Sequence, residues 1–139
     1  MIQLIAGEKG TGKTKRLIDL ANAEIAKDNG AVVFVDDDKR YMYDISSKIR
    51  FVNVSDYTID SPRALYGFLC GMLSQNFDIT TIYIDAFLHM IKAYADDEAT
   101  IVEFFKTLEK TSKENNVNFV FNYSCAQENM PEELKQYII

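Results

Sequence analysis

The stretch Gly7-Glu8-Lys9-Gly10-Thr11-Gly12-Lys13-Thr14 fills every position of the phosphate-binding pattern G-x-x-x-x-G-K-[ST], and its surroundings decide the fold. Before it runs Met1-Ile2-Gln3-Leu4-Ile5-Ala6, apolar and short enough for a buried strand. After it, Leu17, Ile18, Ala21 and Ile25 recur at helical spacing until Asn29-Gly30 supplies a stop. Strand, glycine loop and helix in that order give the pattern its physical sense. The glycines let backbone N–H groups turn inward around phosphate oxygens, and the helix N-terminus adds its partial positive charge to the same spot. On this reading Gly7, Lys9, Gly10, Thr11, Gly12, Lys13, Thr14 and Lys15 form the phosphate site. Lys13 is expected to reach the β- and γ-phosphates of a nucleoside triphosphate, and the Thr14 hydroxyl to ligate Mg²⁺.

Composition sets the frame. The chain has 139 residues, 47% of them hydrophobic, which suits one domain over 1–139 with enough material for a core. No apolar run reaches the length of a membrane span, and the N-terminus enters a strand at once, without a charged segment and cleavage site. Cys70 and Cys125 lie far apart and form no metal-ligand pair, so reduced thiols in a cytoplasmic protein are expected. The single His89 cannot build a metal cluster alone. A net charge of -6 disfavours nucleic-acid binding through a broad basic face. Lys9, Lys13, Lys15 and Arg16 nevertheless gather positive charge where phosphates would sit.

Further along, Ala31-Val32-Val33-Phe34-Val35 is a β-branched run read as a second buried strand. It ends in Asp36-Asp37-Asp38. Parallel α/β sheets place ligands at the carboxyl ends of their strands, so one of these carboxylates is a candidate to orient water or hold magnesium, the alternative being a solvated acidic turn. Ile49 to Val54 reads as a third strand near an edge, because Arg50 and Asn53 interrupt it. Ser61-Pro62 reads as N-cap and first residue of a helix with Leu65, Phe68, Leu69, Met72 and Leu73 on its apolar face. Gly67 and Gly71 within it are candidates for close packing on the sheet. Ile79 to Asp85 is an apolar strand ending in a carboxylate, with Ala86 after it. Phe87, Leu88, Met90, Ile91 and Tyr94 read as core, and Asp96-Asp97 opens a helix with Ile101, Phe104, Phe105 and Leu108 inward. Val117 to Tyr123 is the last convincing strand, with Asn122 and Ser124 placed to sense a γ-phosphate or simply to end the strand. Pro131 begins a short helix, and Tyr137-Ile138-Ile139 is a candidate edge strand.

Helices alternate with apolar strands throughout. That implies right-handed crossovers and a three-layer α/β/α sandwich with a mainly parallel sheet of five or six strands.

With the loop, the Asp85 strand and this alternation in hand, the chain resembles a minimal P-loop NTPase of the RecA-like branch. That branch implies the Asn122 strand between the loop strand and the Asp85 strand, direct adjacency of the latter two being the alternative. The resemblance makes Asp85 a Walker B carboxylate that manages Mg²⁺ with Thr14. Many ATP hydrolases place a glutamate directly after that aspartate, where this chain has Ala86, so the task of positioning water falls to Asp36, Asp37 or Asp38. Leu4 to Thr14, Val35-Asp36-Asp37-Asp38 and Tyr137-Ile138-Ile139 are also similar to small clostridial proteins described as ATP-binding or PilT-like. Pilus-retraction ATPases carry an additional N-terminal domain and histidine-containing boxes, for which this sequence has no counterpart. In outline the chain also resembles thymidine kinase, without the four cysteines of that family's zinc lobe.

Three functions follow as expectations. The first is a slow Mg-ATP hydrolase whose nucleotide state controls an unidentified protein partner or a second copy of the chain, with Lys13 stabilising phosphate charge and Arg40, Arg50 or Arg63 available as a finger across an interface. The second is a nucleotide-dependent binding module without turnover. The third is a small-molecule kinase, which four arginines and no long basic insertion support poorly.

Overall fold

The computed structural model describes residues 1–139. Five strands are joined by four α-helices: β1 (Ile2–Gly7), α1 (Lys13–Ala26), β2 (Ala31–Asp36), β3 (Arg50–Asn53), α2 (Pro62–Gln75), β4 (Ile79–Ile84), α3 (Phe87–Met90), α4 (Glu98–Asn115) and β5 (Asn118–Ser124). All pair in parallel in the order β1-β5-β4-β2-β3. The last strand of the sequence therefore lies between β1 and β4, as expected, and β3 is an edge.

Side-chain alternation sends the strands' residues to two cores. Leu4, Val33, Val35, Ile82, Ile84, Phe119 and Phe121 point to the face covered by α2, α3 and α4. Their sequence neighbours Ile5, Val32, Phe34, Tyr83 and Val120 point to the opposite face, where Leu17, Ile18 and Ala21 of α1 meet them. Helices on both faces of a parallel sheet are compatible with a three-layer sandwich. No helix is long and apolar enough to cross a membrane.

Local chemistry sets the boundaries. The Ser61 hydroxyl accepts from the Ala64 N–H at 3.0 Å, with Pro62 at the first helical position, so α2 starts where its cap dictates. Asp97 caps α4 in the same way, and Asn116, with a left-handed backbone, ends it. Gly30 lies where the turn before β2 crosses the approach to β4; a Cβ there would come within 2.5 Å of the Asp78 carbonyl oxygen.

Two expectations need correction. Gly67 and Gly71 do not pack on the sheet: both are exposed, and a Cβ on either would meet nothing within 4 Å. Leu65, Leu69 and Leu73 claim the buried face, and a residue two positions along a helix turns about 200° away from it. The C-terminal segment adds no sixth strand. A 3₁₀ stretch runs from Glu132 to Tyr137, after which Ile138 makes a single parallel bridge with Leu4.

Candidate functional site

The carboxyl ends of the strands and the adjoining start of α1 carry four of the molecule's seven buried polar residues: Lys13, Asp36, Asp85 and Asn122. Gly10 and Gly12 of the glycine loop adopt left-handed backbone conformations, with φ of 82° and 83°, and α1 begins directly after Gly12. A Cβ at Gly7 would meet the Thr11 hydroxyl at 2.9 Å, so the loop's first turn closes only around a glycine. No side chain caps α1, so its first N–H groups have no side-chain partner. The Glu8 carbonyl oxygen accepts from both the Thr11 hydroxyl and the Lys13 ammonium, each at 2.7 Å. That folds the Lys13 side chain back over the loop it belongs to. Lys13 is buried, and the loss of water pushes its ammonium below the ordinary lysine value, against the pull of Asp85.

Asp85 follows β4 and is buried beside the start of α1. Its carboxylate accepts from the Thr14 hydroxyl at 3.1 Å, from the Asn122 amide at 2.8 Å and from the Ala86 N–H at 2.9 Å. Thr14 and Asp85 are 71 positions apart in sequence. Ala86 makes its contact in a left-handed conformation, φ 58°, which turns the chain sharply off β4 into α3. A non-glycine residue held there costs roughly 1–2 kcal/mol, the kind of local strain that collects at functional sites. Asn122 donates to Asp85 through its amide nitrogen, while its carbonyl oxygen is buried without a partner. Ser124 ends β5 exposed, in register with Gly7.

The three aspartates after β2 have three different surroundings. Asp36 is buried next to Asp85; one oxygen accepts from the Asp37 N–H at 2.7 Å and the other has no partner. Burial, and then the charge of Asp85, push its carboxyl up to about 8, so it holds a proton at neutral pH. Asp37 accepts from His89 Nδ1. Asp38 pairs with Arg40 at 3.4 Å on the surface. One carboxylate oxygen from each of the three lies within 4.8 Å of the others.

The fold thus brings together Gly7, Gly10, Thr11, Gly12, Lys13, Thr14, Asp85 and Asp36. Lys9 and Lys15 stay exposed, and Lys15 is bound to Asp19 at 2.9 Å. Of the three arginines considered as fingers, Arg40 holds Asp38, Arg50 begins β3 at the opposite end of the sheet, and Arg63 lies in the first turn of α2. The residue the sequence reading passed over is His89. Nothing local ties it to Asp37, 52 positions away. Both cysteines are free and half-buried. Comparison with models of known protein families and with curated proteins finds no match for the chain.

Proposed function

We propose that this chain binds the magnesium complex of a nucleoside triphosphate, ATP foremost, and hydrolyses it slowly, the bound nucleotide governing contact with a protein partner or a second copy. The observation that carries this reading is the hydrogen bond from Thr14 to Asp85, which sets a hydroxyl and a carboxylate side by side at the foot of a glycine loop. Hard oxygen donors of this kind suit Mg²⁺. The left-handed Gly10 and Gly12, with open space around them, leave the loop's N–H groups accessible to an anion, and Lys13 has two N–H groups beyond the one spent on Glu8. These residues fit the ligand on chemistry alone; ATP as the nucleotide rests on the family resemblance.

Thr14 and Asp85 would hold the cation, whose charge, when bound, offsets the charge that develops on the phosphate oxygens. Asn122 keeps Asp85 oriented. Lys13 and the loop N–H groups bind the phosphate chain and stabilise the same charge. Asp36 is the one of the three aspartates that stands beside Asp85, and in this reading it orients the attacking water.

The test is a thermal melt with Mg-ATP, Mg-GTP or ADP on the wild type and on Lys13→Ala. At a nucleotide concentration about a hundredfold above Kd, binding adds roughly 2.7 kcal/mol, a midpoint rise of several degrees. A rise confined to the wild type supports the reading, and none with any nucleotide overturns it. Ala86, where many hydrolases have a glutamate, favours one second reading: a binding module without turnover. Binding with no phosphate release above the Lys13→Ala background would decide for that module.

A further inference from the structure

His89 is the only histidine in the chain, and it stands where the mechanism above has no residue. It belongs to α3, four positions after Asp85, and its Nδ1 meets the carboxylate of Asp37, which directly follows β2. A carboxylate only accepts hydrogen bonds, so Nδ1 carries the hydrogen, and the neutral form of a ring held this way presents its lone pair at Nε2. The Asp37 side chain is 19% exposed and that of His89 65%, so the orienting group is sheltered and the imidazole is largely open to water. Position along the sheet matters as much. β2 is the neighbour of β4 on the side away from β5 and β1. Strands lie about 4.8 Å apart, so the pair stands about one strand spacing beyond Asp85 and about three beyond the strand that feeds the glycine loop.

In-line phosphoryl transfer makes that placement significant. The leaving oxygen lies on the side of the phosphates gripped by the loop, so the nucleophile must arrive from the opposite side. We infer that the Asp37–His89 pair is the proton acceptor for the water that attacks the γ-phosphorus, an assignment resting on the nucleotide-binding reading above. Water's oxygen forms the new bond to phosphorus as its proton passes to His89 Nε2. The bond from the γ-phosphorus to the bridging oxygen breaks, and its electron pair leaves with the nucleoside diphosphate. The imidazolium then returns the proton to solvent, leaving diphosphate, inorganic phosphate and one proton as products. Asp37 stabilises the imidazolium and holds the ring in the required tautomer. The other nearby groups are poorly placed for this task. Asp36 is buried with one oxygen taken by the Asp37 N–H, Asp38 is spent on Arg40, and Ala86 carries no acid.

The experiment measures phosphate release from Mg-ATP by the full chain as wild type, His89→Ala, His89→Gln and Asp37→Asn, each checked by the nucleotide-induced rise in melting midpoint. General-base catalysis contributes about a hundredfold or more, so both His89 variants should lose at least that much turnover while keeping the midpoint rise. Added imidazole should restore turnover to His89→Ala and leave His89→Gln, whose side chain fills the gap, nearly unchanged. Asp37→Asn should fall at least about tenfold. Turnover within twofold of wild type in His89→Ala overturns the assignment, and so does a loss that imidazole does not repair. A wild type that shows the midpoint rise but no turnover overturns it and leaves the binding reading standing. A wild type with no midpoint rise removes the reading itself.

Discussion

On the α2–α4 side of the sheet, Phe87, Phe104, Phe105, Phe121 and Tyr123 meet ring to ring with centroids 5.0 to 6.3 Å apart, most of them edge-on or tilted. One residue past Phe121 stands Asn122, and one past Ile84 stands Asp85. There, at the strand ends, the molecule buries a lysine, two carboxylates and an amide, and leaves an oxygen of Asp36 and one of Asn122 without partners. The aromatic layer is almost entirely carbon and leaves none of its fully buried side-chain atoms short of a partner. The strand ends hold groups whose burial costs free energy and whose pairing within the protein is incomplete. The apolar packing and the proposed site thus sit one residue apart on the same strands, and substitutions should separate them.

The largest effect belongs to the aromatic layer. Phe105 is fully buried, and Phe105→Ala should cost about 3–5 kcal/mol in urea or thermal unfolding, through lost transfer free energy and a residual cavity. Protein that remains folded should still show the nucleotide-induced midpoint rise; loss of that rise would mean that the two regions are mechanically one. Lys13→Ala should do the reverse. The nucleotide-dependent gain of roughly 2.7 kcal/mol at a hundredfold excess over Kd disappears, while the ligand-free midpoint falls little or rises, because a desolvated ammonium has been removed.

Asp36→Asn sharpens the contrast further. The folded chain keeps a proton on Asp36 up to about pH 8, whereas the unfolded chain releases it near the ordinary aspartate value of 3.8. Between those values the native state binds more protons, so this residue's contribution to stability is complete below about pH 4 and is lost as pH rises towards 8. Compared with wild type, Asp36→Asn should therefore gain stability at pH 8 relative to pH 4. Parallel melts across that range check it, and a gain that shrinks with rising pH would contradict the burial argument. The smallest effect is at a helix cap outside both regions: Ser61→Ala should cost about 1 kcal/mol and leave nucleotide response unchanged.

The glycine loop, the capped helices and the alternation of elements were legible because their causes are local. Left-handed glycines, a serine before a proline and two-residue alternation act within a few positions. The helical face of Gly67 and Gly71 was equally local and was misread, since Leu65, Leu69 and Leu73 already claimed the buried side. His89 was not legible at all. Its partner, Asp37, looked like one member of an acidic run, and only the neighbouring of β2 and β4 joins the two.

By itself the sequence determined a phosphate-loop pattern between a strand and a helix, an alternating α/β chain, and a strand that ends in Asp85. Tertiary structure decided the strand order. With it came the Asn122 grip on Asp85, the burial that protonates Asp36, and the pairing that orients His89. The division has one physical reason. Backbone conformation and capping depend on near neighbours, whereas desolvation and hydrogen bonding between strand ends depend on which strands the packing of both sheet faces sets side by side.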